Sequence, residues 1–175
     1  MKTASKVSNW FLWWLIYSVA GWAYEIVVVS IQEGHLVSRG FLYGPLCPIY
    51  GTAALLAIAL LYKRVKNPLL LFLVGVTLAT ALEYTTSVAL ERLFHQRWWD
   101  YSNFRFNIEG RVCLLAATVF GVLMILLIKV IHPRVEALTG RLAEKTRVLL
   151  ASVLAGLVAL DFCLTLIHLL GTRVG

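Results

Sequence analysis

Between Lys6 and Glu33 the chain carries a single charge, Glu25, in a run long enough to cross a bilayer as one helix. A hydrocarbon core about 30 Å thick takes about 20 helical residues. Four further runs approach or exceed that length. Arg39 to Lys63 encloses 23 uncharged residues, and Lys66 to Glu91 encloses 24 with only Glu83 charged. Arg111 to Lys129 encloses 17, and Arg147 to Arg173 encloses 25 with only Asp161 charged. The expected fold is therefore all-α: a polytopic membrane helix bundle of about five transmembrane segments, near residues 9–31, 45–62, 69–90, 111–130 and 148–170. No internal repeat is apparent, so residues 1–175 are expected to form a single integral membrane domain.

Composition agrees. Hydrophobic residues make up 60% of the chain and charged ones 14%, against about 45–50% and about 25% in soluble domains. The same figures exclude disorder. A net charge of +7 would suggest nucleic acid in a soluble protein. Here the basic residues fall between apolar runs, where they report cytoplasmic loops and anionic lipid. The lipid bilayer, not nucleic acid, is the expected partner. Cys47, Cys113 and Cys163 lack metal-ligand or disulfide spacing, so no metal and no cofactor is expected. Lys2 and Lys6 before an apolar run resemble a signal peptide, with Ser18-Val19-Ala20 as a cleavage site. The run continues to Ile31, however, and reads as a retained span.

The second segment cannot be one straight helix. Gly40, Gly44, Pro45, Pro48 and Gly51 interrupt it, and proline removes helical hydrogen bonds. Only Ile49 to Tyr62 reads as continuous helix, about 21 Å long. Non-helical backbone at membrane depth survives only inside protein or facing water. A bent or partly re-entrant entry lining a polar cavity is expected; the alternative is a surface loop leading into a short tilted helix. Ten of the sixteen Lys and Arg residues fall on one side if the N-terminus is cytoplasmic, which places the C-terminus outside.

A charge near a helix centre costs about 2.5–3.5 kcal/mol, so Glu25, Glu83 and Asp161 need a reason to be there. Counted from helix starts near residues 9, 69 and 148, they lie about 24, 21 and 20 Å along their spans, at similar depth. Each has polar or small company at helical spacing: Ser18, Gly21 and Trp22 with Glu25; Thr80, Ser87 and Glu91 with Glu83; Thr165 and His168 with Asp161. Arg39 and Arg111, at the outer edge, could pair with these acids or snorkel to lipid. The loop from Glu91 to Arg111 is dense in aromatics. It is either an interfacial belt or a lid, with Trp99, Asp100, Tyr101 and Asn107 facing the cavity. Residues 132–147 suit a short helix on the cytoplasmic surface or a docking element for a partner. Phosphate-loop, zinc-protease and serine-hydrolase motifs are absent, so ATP hydrolysis would need another subunit.

Four blocks carry a family resemblance: Tyr17-Ser18 with Gly21-Trp22 and Glu25; Arg39 to Pro45 with Cys47 to Gly51; Glu83-Tyr84 with Ser87 and Leu90-Glu91; and Trp98 to Ser102 with Asn107, Gly110-Arg111 and Cys113-Leu114. In these the chain resembles the small bacterial membrane proteins of the ABC-transporter type IV, or CmpB-type, permease family. The resemblance spans residues 17–114. It implies a multi-span inner-membrane transport protein, with a separate ATPase subunit or a homo-oligomer completing the system. Asp161 lies beyond the resemblance and enters only as a buried acid.

The candidate substrate- or ion-binding residues are thus Glu25, Glu83 and Asp161, Arg39 and Arg111, Tyr43 and Tyr50 of the broken segment, and Trp99, Asp100, Tyr101 and Asn107 of the loop. No catalytic residue is expected. Transport is the leading reading. The alternatives are a membrane-embedded enzyme acting on a lipid or isoprenoid phosphate, and a structural or assembly protein.

Overall fold

A computed structural model of the chain describes residues 2–37 and 40–171. The order is α1 (Lys2–Glu33), α2 (Pro48–Leu61), α3 (Pro68–Phe94), two strands β1 (Asn107–Ile108) and β2 (Val112–Cys113), α4 (Leu114–Leu126), a π-helical turn (Leu127–Ile131), α5 (His132–Gly140) and α6 (Glu144–Gly171). Four helical stretches are long and apolar enough to cross a membrane: Ala4–Ile31, Pro68–Phe94, Leu114–Gly140 and Glu144–Leu169. Helix α2 is apolar but has only 14 residues, about 21 Å. The architecture is all-helical, as expected. The paired strands only close a turn in the loop before α4.

Local chemistry sets the helix limits. Asn67 caps α3, its Oδ1 accepting the N–H of Leu69 at 2.9 Å, and Pro68 occupies the first turn, where it needs no donor. The helix stops at His95, whose φ of 54° is left-handed. Lys63, with φ 64°, follows the end of α2 in the same way. The stretch after Lys129 differs from expectation: it is not a separate surface helix, because α5 continues α4 through the π turn. Pro133 supplies the reason. Its ring would press on the carbonyl one turn back in a regular α-helix. The widened turn, with the His132 N–H reaching the Leu127 carbonyl, relieves that crowding.

The chain folds as two compact units. The first takes residues up to Thr52 and from Ala137 onward, and α1 packs on α6 in it. Leu12, Trp13, Tyr17 and Ala151 are buried there, and the Trp13 indole donates to Thr139 Oγ1 at 2.9 Å. The second, Ala53–Glu136, is built on α3 against α4. These two helices approach closely at Gly75, where an added Cβ would lie 2.5 Å from Met124 Cβ and 3.2 Å from Gly121 Cα. Small residues at such crossings are how apolar helices gain contact when lipid competes equally for their side chains. Along one face of α6, Leu149, Val153, Leu157, Leu160, Leu164 and Ile167 stay exposed. Water would penalise that stripe; lipid does not.

Candidate functional site

Polar side chains of the candidate set gather in a cluster in each unit; a further one, Tyr62, Lys63 and Glu136, lies in the second. In the second unit, Glu83, Ser87 and Glu91 stand one turn apart on α3, and the loop 95–113 folds over them. Tyr101 ties the loop to itself, its N–H donating to the Gly110 carbonyl at 2.7 Å. Its hydroxyl donates to Glu83 Oε1 at 3.2 Å, and Glu83 is only 8% exposed. Arg111 is 9% exposed and uses all three nitrogens: Nη1 to Ser87 Oγ at 3.0 Å, Nε to Glu109 Oε2 at 3.2 Å, and Nη2 to Glu91. Glu91 also accepts Arg97 Nε at 2.9 Å. Tyr84 donates to Glu109 Oε2 at 2.9 Å, and the Arg111 guanidinium lies 5.9 Å from its ring centroid. This arrangement forms an alternating network of opposite charges with its cations internally paired.

The other loop candidates build the loop. Asp100 Oδ1 accepts the N–H of Ser102 at 2.9 Å and its hydroxyl at 2.5 Å, and these two bonds hold its carboxyl below the usual carboxylate range. Asn107 Nδ2 donates to the Phe104 carbonyl at 2.8 Å, while its Oδ1 accepts Gly110 N–H at 2.9 Å. The Trp99 indole donates to the Arg111 carbonyl at 2.9 Å. Gly110 must be glycine, since its φ is +68° and a Cβ would fall 2.4 Å from both Asp100 Oδ1 and Ser102 Oγ. The Tyr84 hydroxyl, and after it the Arg111 guanidinium, lower the Glu109 carboxyl as well.

In the first unit the segment 40–47 is non-helical between Gly40, at φ +125°, and Pro48. The Tyr50 hydroxyl donates to Glu25 Oε1 at 2.9 Å. Gly21 admits the ring: a Cβ there would lie 2.2 Å from Tyr50 Cγ. Asp161, on α6, accepts Tyr43 N–H at 3.1 Å and Gly44 N–H at 3.0 Å. Tyr43 itself is exposed, its ring edge-on to His168 at 5.9 Å. Ser18 Oγ and Thr165 Oγ1 are buried with no hydrogen-bond partner among the described residues. Arg39 lies outside the described residues.

Glu25, Tyr50, Tyr43 and Asp161 thus belong to one unit, and Glu83, Tyr101 and Arg111 to the other. Residues 12–166 match the family described as "Putative ABC-transporter type IV". The chain belongs to that family. No curated protein and no solved structure matches it. With four helices long and apolar enough to span, this member of the ABC-transporter type IV family is a multi-pass membrane protein. The match runs through α6 and includes Asp161, well beyond the 17–114 that the sequence motifs suggested.

Sequence reasoning on this family member left Tyr84, Arg97 and Glu109 out of the candidate set. All three belong to the Arg111 network. One signal was available: a loop carrying Arg97, Arg105 and Arg111 beside a helix end with Glu91 needs further acid, and Glu109 is the nearest to Arg111 in sequence.

Proposed function

We propose that this ABC-transporter-related protein is the permease subunit of a transport system in the cell membrane, with its N-terminus cytoplasmic and its C-terminus outside. All 175 residues serve as one membrane domain. The segment 40–47 and α2 together make one bent crossing that lines a polar cavity, and a separate subunit hydrolyses ATP.

The single observation that supports this most is Glu83, a carboxylate 8% exposed within an apolar 27-residue helix. Intramembrane carboxylates are expensive, and in membrane proteins they mark ion and proton paths. Tyr101 occupies one oxygen of Glu83 through a neutral hydroxyl. A neutral donor orients a carboxylate without cancelling its charge. Glu25 with Tyr50 repeats the same pairing on α1. In this reading the two carboxylate–tyrosine pairs, one in each unit, handle cations or protons, and Trp99, Asp100, Asn107 and Arg111 shape the cap over Glu83 in the second unit.

A specific observation favours a second reading. Every nitrogen of Arg111 already donates to a protein oxygen, which suits a structural network. The same fact weakens the lipid-phosphate enzyme, because a phosphate would have to displace those partners. Purification of the tagged protein in mild detergent, with mass spectrometry of what accompanies it, tests the transport reading. A stoichiometric ATPase is the expected companion. Recovery of the chain alone, or as a homo-oligomer only, would remove the ATP-driven mechanism.

A further inference from the structure

We infer that Asp161 is a positioning residue whose ligand is the protein's own backbone: it fixes the non-helical segment against α6. The inference goes beyond the transport reading and stands whatever the chain carries. Peptide N–H groups outside a helix must find acceptors when water is scarce. From Tyr43 to Pro48 every one of them does. The N–H of Tyr43 and of Gly44 go to the two oxygens of Asp161 at 3.1 and 3.0 Å. Leu46 N–H goes to the Gly44 carbonyl at 2.7 Å and Cys47 N–H to the Ser18 carbonyl at 3.0 Å. Pro45 and Pro48 have no N–H to satisfy. Two prolines thus delete two donors and one carboxylate accepts two more.

The flanking contacts agree. Phe41 packs on Phe162 and Tyr43 on His168, at centroid distances of 6.1 and 5.9 Å, so the segment lies along the Asp161 face of α6 for about two turns. Gly44 is fitted to the carboxylate: a Cβ there would lie 2.9 Å from Asp161 Oδ2 and meet no other group within 4 Å. Its φ is not positive, so alanine at 44 would be opposed by Asp161 alone.

Cys47 reports on the segment, and Cys113, buried in the other unit, serves as the control. Alkylation of each is followed in the purified full-length protein, using variants that lack the exposed Cys163 and retain only one of the other two thiols. Asp161→Ala should raise the Cys47 rate at least about tenfold, as expected for losing two hydrogen bonds. Asp161→Asn, with the same shape but one acceptor fewer, should fall between. Cys113 should stay slow in both. Gly44→Ala should speed Cys47 in the parent and add nothing once Asp161 is alanine. Parent-like Cys47 rates in Asp161→Ala overturn the proposal. A Gly44→Ala effect that persists in full without the carboxylate does so too. If Asp161→Ala unfolds, seen as fast Cys113, the Gly44→Ala and Asp161→Asn pair decides: a reduced joint effect supports the latch and simple addition refutes it.

Discussion

Glu83 and Asp161 are both acids inside apolar helices, yet they meet different partners. Asp161 faces two peptide N–H groups; Glu83 faces a tyrosine hydroxyl. The first arrangement puts a donor on each carboxylate oxygen, and the second sets a neutral hydroxyl against one of them. Glu83→Gln retains an acceptor for Tyr101 and removes the charge. The variant should therefore accumulate in the membrane and melt close to the parent. If Glu83 handles a cation or proton, sodium, potassium or pH titration should shift the parent's melting temperature by mass action and leave Glu83→Gln unmoved. Equal shifts in both proteins would detach the site from Glu83. At Gly110 the expectation is simpler. Alanine at φ +68°, against Asp100 and Ser102, should destabilise the loop by at least about 1 kcal/mol, measurable as a lower melting temperature. Hydropathy alone located the acids, because each interrupts an apolar run. Their partners were not legible: Tyr43 lies 118 positions before Asp161, and nothing in a run of hydropathy encodes which backbone donors a distant helix will meet.

At the scale of elements, the loop 95–113 holds its shape by charge and side-chain-to-backbone bonds more than by apolar burial. Its aromatic density suggested either a belt or a lid. What that density did not convey is that Asp100 and Asn107 are the loop's own turn-builders, as short polar side chains often are. The helices were easier to read, since periodicity and length speak for themselves, although the π turn before Pro133 was not anticipated. Asp100 and Glu109 both sit below the usual carboxylate range in the folded loop, held there by the Ser102 donors and by Tyr84 with Arg111. A depressed folded pKa contributes stability that is complete above the unfolded value, about 4, and fades as pH falls through the folded one. Hydrogen exchange of the loop amides should therefore be insensitive to this linkage between pH 8 and 5, after correction for intrinsic rates. Protection should drop below about pH 4. Asp100→Asn should show less of that drop. Protection that instead weakens on raising pH from 5 to 8 would contradict the assigned linkage.

For the whole molecule, the first unit alone constrains topology. Arg147 near the start of α6 donates to Ser5 near the start of α1. Further along, one short segment bridges Ser18 and Asp161, through Cys47 and Gly44 respectively. Those points lie 13 and 14 residues beyond the first contact, about 20 Å along each helix. The two helices therefore run parallel. Parallel first and last spans, if both cross the membrane, do so in the same direction, which agrees with the proposed placement of the termini on opposite sides and requires an odd number of crossings. Among the described residues, four helices are long enough to cross unaided. In the proposed topology the fifth crossing falls to α2 together with the non-helical 40–47, in which every peptide N–H from Tyr43 to Cys47 finds an acceptor. In the same proposal the charge bias places the N-terminus on the cytoplasmic side. Reporter fusions should accordingly read cytoplasmic after residue 66, outside after residue 97, cytoplasmic after residue 142 and outside at the C-terminus. A cytoplasmic signal at both ends would mean that α2 turns back instead of crossing. It would also break the parallel pairing of α1 and α6 on which the Asp161 latch depends.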